Sequence, residues 1–215
     1  MEVLEAMERA GAIPIAVLED EEEARFFADA MRKAGLPVIE VTFRTAAAAE
    51  VIRYLRQVDP QLIIGAGTIL TPAQAAQALQ AGAQFIVSPG FDSELAAWCR
   101  SADVLLIPGV ATPSEVMAAL RHGLYTLKFF PAEAMGGTKT LEALAPVFPQ
   151  VRFIPTGGIR LSNLADYLKL PNVIACGGTW LADRRLIRER RADALIHQAQ
   201  EARALVEQIR TEIIA

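Results

Sequence analysis

Three charged residues lie inside short apolar runs, where charge is costly. Glu40 and Arg44 belong to Glu40-Val41-Thr42-Phe43-Arg44, and Lys128 to Thr126-Leu127-Lys128-Phe129-Phe130. Side chains alternate between the faces of an extended strand, so Leu127 and Phe129 share one face while Lys128 and Phe130 share the other. The same parity sets Glu40, Thr42 and Arg44 against Val41 and Phe43. The apolar faces belong against a core, which turns both polar sets toward a common interior. An unpaired ammonium buried there is costly, and the neutral amine that burial favours is the form that attacks a carbonyl carbon to give a Schiff base. Arg44 offers a planar fork for a carboxylate, and Glu40 can carry protons between the intermediates. Two basic groups against one acid leave room for an anionic substrate. Plainer readings stay open: a lysine whose head escapes to solvent, and a structural Glu40–Arg44 pair that seals the interior.

The elements that must position these groups are short β-branched and apolar runs at 13–18, 38–42, 62–66, 85–88, 104–108, 126–130, 152–156 and 173–177. Their spacing fits one strand-plus-helix unit each. The segments between carry helix signals. Thr71-Pro72 opens one helix, Thr112-Pro113-Ser114-Glu115 opens another with a cap and an acid three residues on, and Gly82 and Gly123 close them. Further helices are expected at about 1–11 and about 190–213. Eight units with near-continuous apolar strands predict an α/β protein, a single (β/α)8 TIM barrel spanning 1–215, with an open doubly wound sheet as the alternative.

In a barrel, chemistry collects where strands end, and there glycines cluster: Gly65-Ala66-Gly67-Thr68, Pro89-Gly90, Pro108-Gly109, Gly157-Gly158 and Gly177-Gly178-Thr179. Most read as tight turns. The pairs after the seventh and eighth strands stand where barrels bind phosphate through backbone N–H groups, and Thr179 adds a hydroxyl.

Composition narrows the function classes. A net charge of −4 without a basic block argues against nucleic-acid binding, and no long uncharged apolar stretch or basic leader is present, so a cytoplasmic protein without a membrane span is expected. Cys99, Cys176, His122 and His197 show no zinc spacing, and both cysteines read as buried apolar residues. No metal and no cofactor is expected.

The motifs EVTFRT (40–45), GAGTIL (65–70), VSPGF (87–91), IPGVATPSE (107–115), LKFFPAEAMGG (127–137), PTGGI (155–159) and CGGTWL (176–181) together resemble the 2-dehydro-3-deoxy-6-phosphogluconate (KDPG) aldolases. These are similar to, and often share activity with, 4-hydroxy-2-oxoglutarate (KHG) aldolases. The resemblance implies a metal-free class I aldolase, usually a homotrimer. By resemblance Lys128 is the Schiff-base lysine, Glu40 the general acid/base and Arg44 the ligand of the pyruvyl carboxylate. Thr68, Pro89 and Phe130 resemble the pocket lining and Thr156 a substrate-hydroxyl contact, while Gly157, Gly158, Gly178 and Thr179 resemble the phosphate end. The chain departs from many members in carrying Phe43 for leucine and Thr179 for serine. Glu19 stands near a place where some relatives carry a basic residue, which is unfavourable for holding an anion. A metal-free phosphosugar isomerase or epimerase, needing only Glu40, and a non-catalytic phosphosugar-binding barrel are the rival functions.

Overall fold

The computed structural model describes residues 2–214. Its strands are β1 (Ala12–Ala16), β2 (Val38–Thr42), β3 (Ile63–Gly67), β4 (Phe85–Val87), β5 (Leu105–Ile107), β6 (Gly109–Val110), β7 (Thr126–Phe129), β8 (Arg152–Pro155) and β9 (Cys176–Gly178). The helices are α1 (Glu2–Ala10), α2 (Glu21–Ala34), α3 (Ala48–Val58), α4 (Pro72–Ala81), α5 (Ser93–Ser101), α6 (Pro113–Arg121), α7 (Gly137–Leu144), α8 (Leu161–Leu168), α9 (Arg184–Arg188) and α10 (Ala192–Ile214).

Every ladder is parallel, in the orders β5-β4-β3-β2-β1-β9 and β6-β7-β8. This is an α/β fold with a parallel sheet, as the strand–helix alternation requires. The hydrogen-bonded ladders form two sheets rather than one continuous ring. The fifth expected strand is cut at Pro108, which has no N–H to offer a ladder. The eighth expected run, 173–177, is regular only over Cys176–Gly178 and meets β8 through isolated bridges, Phe153 to Val173 and Thr156 to Gly177.

Helix starts follow local chemistry. Thr71 accepts from the Gln74 N–H ahead of Pro72, and Thr112 and Glu115 form a reciprocal capping box ahead of Pro113. Gly82 ends α4 at φ +103°, a conformation that costs glycine nothing.

Strand parity divides the core in two. Ile39, Val41, Leu127, Phe129 and Phe153 point outward into a large cluster with Phe27 and Leu55 of the surrounding helices. Ile13, Val38, Phe85, Ile107 and Ile154 point the other way, into a smaller inner cluster closed by Ala6 and Met7 of α1. Fully burying Met7 contributes about 1.5–3 kcal/mol toward holding α1 across that end. The inner face therefore changes character along each strand: Val38 is apolar and Glu40 and Thr42 are polar, and Ile154 gives way to Thr156. Helix α10 packs on α2 and α8 through Leu195, Ala199, Ala202, Val206 and Ile209, and Trp98 and Trp180 pack against the chain's own core. Among the described residues no helix is long and apolar enough to cross a membrane.

Candidate active site

Glu40 sits in the middle of β2 and Lys128 in β7, both on the inner face above the apolar floor. Lys128 Nζ lies 3.6 Å from Glu40 Oε1, with the side chains 8% and 6% exposed. Glu40 Oε1 accepts no hydrogen bond within the protein, so it remains an acceptor for a proton brought by substrate. The Lys128 ammonium also lies 5.3 Å from the centroid of the Phe130 ring, within cation–π range. The cost of an unpaired ammonium is thus avoided, because the low-dielectric interior holds a compensated pair. The sealing Glu40–Arg44 pair is excluded as well. Arg44 lies beyond the end of β2, is exposed, and has no carboxylate partner among the described residues.

Room for Glu40 comes from β3. A Cβ on Gly67 would stand 1.9 Å from Glu40 Oε1, and one on Gly65 would stand 2.0 Å from the Phe85 ring. The expectation that these glycines make a tight turn is corrected: both lie inside a strand and leave space for neighbours. Just beyond them, Thr68 holds φ +61°, a left-handed conformation that costs a β-branched residue about 1–3 kcal/mol and recurs at functional sites. The threonines of the 40–45 segment act on the frame, since the Thr42 hydroxyl donates to Ala16 O at 3.1 Å and the Thr45 hydroxyl to Leu18 O at 2.9 Å.

A cavity of about 210 Å³ opens above Lys128. It gathers Arg44, Thr68, Pro89, Phe130, Thr156, Gly157, Gly158 and Thr179 around the lysine, and Ile15, Ile159 and Gly177 complete the wall. Of the residues singled out in the sequence, Glu40 lies one layer beneath this lining. Gly178 lies behind it, where the Trp180 ring occupies the space a Cβ would take. Gly177 lines the cavity, and a Cβ there would meet Thr156 Oγ1 at 2.5 Å. A larger cleft of about 500 Å³, bordered by Val3, Cys99 and His122, contains no lysine. Among the described residues no three His, Cys, Asp or Glu side chains come together as a metal site.

Glu19 does not line the cavity. Its carboxylate takes hydrogen bonds from Arg184 and, at 3.1 Å, from Arg188. The Arg184 hydrogen bond is the main influence that holds its carboxyl below the usual carboxylate range. The repulsion expected of this carboxylate is therefore offset by two guanidinium groups.

The family model for KDPG and KHG aldolase matches residues 3–198. The chain belongs to that family. It is 48% identical to a 2-dehydro-3-deoxy-phosphogluconate aldolase of Treponema pallidum over 86% of this chain and 88% of that protein. It is 43% identical to a KHG/KDPG aldolase of Escherichia coli K12 over 88% and 89% of the two chains. Its fold superposes with a TM-score of 0.90 on the KDPG aldolase of Legionella pneumophila, solved with pyruvate captured at low pH as a covalent carbinolamine intermediate. That pair is 39% identical, over 93% of this chain and 97% of the other. For this KDPG and KHG aldolase family member, the site residues that sequence reasoning missed are Gly67 and Ile15, while Gly177, read there as part of the eighth-strand glycine pair, lines the cavity in place of Gly178. Gly67 pairs with Thr42 in the register of β2 and β3, a placement that the sequence does not signal.

Proposed function

We propose that this chain is a class I aldolase that cleaves KDPG to pyruvate and glyceraldehyde 3-phosphate, with KHG, cleaved to pyruvate and glyoxylate, as a second substrate. The observation that carries the reading is the buried amine–carboxylate pair, 3.6 Å apart, beneath a cavity that Arg44 borders. Lys128 gives a proton to Glu40 and adds as the free amine to the C2 carbonyl, and Glu40 returns the proton to the carbinolamine hydroxyl, which leaves as water to give an iminium that draws electrons from the C3–C4 bond. Glu40 takes the C4 hydroxyl proton as that bond breaks, and the aldehyde departs. Glu40 passes that proton to C3 of the enamine left on Lys128, and hydrolysis of the new iminium frees pyruvate and the amine. Arg44 is assigned to the substrate carboxylate and Thr156 to a hydroxyl. The phosphate is assigned to the backbone N–H groups of Gly157 and Gly158, left-handed at φ +100° and +83°, together with the Gly178–Thr179 segment and the Thr179 hydroxyl.

Borohydride reduction in the presence of pyruvate tests this. One adduct on Lys128 is expected, and an adduct mapped to Lys33, Lys139 or Lys169 would remove the mechanism. Activity is expected to survive a chelator.

We further infer that the two sheets close as one (β/α)8 domain. The support is the Lys128 N–H bond to Pro108 O at 2.9 Å and the bridges between β8 and the segment leading into β9. The family resemblance leads us to infer a cytoplasmic homotrimer. Sedimentation equilibrium is expected to give three times the 23.3 kDa chain mass, and a monomer mass would reject the trimer.

A further inference from the structure

Glu133 lies in the turn that follows β7, and no role given above uses it. Its carboxylate accepts a hydrogen bond from the hydroxyl of Tyr167 on α8, a side chain only 1% exposed. Its backbone N–H donates to Gly157 O at 3.0 Å, while the Ala132 N–H donates to Thr156 O at 2.8 Å. The turn after the lysine-bearing strand is thereby laced to the turn after β8.

The side chain of Glu133 then backs the second glycine. A Cβ on Gly158 would stand 2.4 Å from Glu133 Cγ and 2.7 Å from its Cβ. Two successive left-handed glycines have unusual conformational freedom, so the turn keeps one conformation only if neighbours hold the backbone. Helix α8 supplies that hold twice. Asn163 Nδ2 donates to Gly158 O at 3.2 Å, and Tyr167, one turn later on the same helix face, reaches the glycine through Glu133. Burial, and then the Glu133 carboxylate, push the Tyr167 hydroxyl above its usual range, so it stays a donor throughout the physiological range.

We propose that Glu133 and Tyr167 are positioning residues that hold the Gly157–Gly158 turn in its phosphate-binding conformation and tie it to the strand carrying Lys128. This rests on the assignment of that turn to the substrate phosphate.

Kinetics with KDPG and with KHG, together with inhibition by inorganic phosphate, test the idea on Tyr167→Phe, Glu133→Ala and Glu133→Gln. Tyr167→Phe and Glu133→Ala are expected to raise KM for KDPG and the inhibition constant of phosphate about 3- to 10-fold, the weight of one hydrogen bond. The kcat/KM for KHG and the rate of borohydride trapping with pyruvate should stay within about twofold, because neither uses the turn. Glu133→Gln, whose amide oxygen still accepts from Tyr167, should behave as wild type. Equal losses on both substrates, or loss of pyruvate trapping, would mean a general structural role and overturn the proposal. So would unchanged KDPG and phosphate binding in variants of a protein that phosphate does inhibit. If phosphate fails to compete in the wild type, the phosphate assignment itself falls, and the positioning role falls with it.

Discussion

Lys128 and Glu40 answer each other's cost. Removing either charge from water carries a penalty of several kcal/mol, and their proximity returns much of it. Truncating Lys128 therefore does more than delete a nucleophile, because it leaves the Glu40 carboxylate buried without a countercharge. Lys128→Ala is expected to lose the pyruvate adduct and turnover and to lower unfolding free energy by up to about 3–5 kcal/mol. Adding Glu40→Gln to that variant should recover much of the stability and none of the turnover. Urea unfolding of the single and double variants checks this, and a stable Lys128→Ala protein would show that the pair carries no such coupling. Glu40→Gln alone keeps the amine and should lower kcat by about 10² to 10⁴ with a smaller change in KM. Gly67 belongs to the same unit, since any side chain there would occupy the position of the Glu40 carboxylate. Gly158 is a poor place to test phosphate binding by substitution. A new side chain would meet Glu133 and would have to accept φ +83°, so a lost activity would report strain as much as charge.

At the scale of elements, the site depends on strand ends and on the helices that restart the chain after them. Helix α6 begins with the Thr112–Glu115 box, in which Glu115 accepts from the N–H groups of Ala111 and Thr112, each at 2.8 Å. Partial burial works to raise the Glu115 carboxyl, but these hydrogen bonds outweigh it and hold the group below its usual range. A carboxyl lowered in the folded state contributes stability that is present above its unfolded range and is lost as pH falls through its folded one. Glu115→Gln should therefore cost about 0.5–1 kcal/mol near pH 7 and progressively less once pH drops below about 4. Urea midpoints of both proteins at the two ends of that window check the sign. A difference that grows on acidification would show that the charge on Glu115 does not support the cap.

At the scale of the whole molecule, the two thiols report on how the interior opens. Cys99 of α5 and Cys176 of β9 are both buried in the outer cluster, Cys99 beside the larger cleft. Burial pushes the Cys99 thiol up to about 11 and raises Cys176 as well. Neither presents a thiolate at neutral pH, and a reagent must await an opening of the fold. Cys99 lies on a peripheral helix, whereas Cys176 lies in β9, the end strand of the larger sheet, paired with β1 on one side and bridged toward β8 on the other. Mass-resolved labelling should find Cys99 modified first, and Cys176 modified only at the rate of global unfolding. Prompt labelling of Cys176 in the folded protein would show that the sheet opens locally at β9.

The sequence by itself determined the strand–helix alternation and the helix caps, because these rest on interactions within a few residues. Side-chain parity in the strands is equally local, and it turned Glu40 and Lys128 inward while sending Leu127 and Phe129 to the helices. The polar lining of the cavity was legible for the same reason: a charge or a glycine pair at a strand end is conspicuous against apolar runs. Tertiary structure decided the rest. That the Glu40 carboxylate comes within 3.6 Å of the lysine depends on β2 and β7 meeting across the inner face, and nothing near Lys128 in the chain sets that distance. The use of Gly67 depends on what stands opposite it, and the placement of Gly178 behind the cavity depends on the Trp180 ring. The neutralisation of Glu19 needs Arg184 and Arg188 from the other end of the chain. Pairings across such distances are set by packing, which no local pattern encodes.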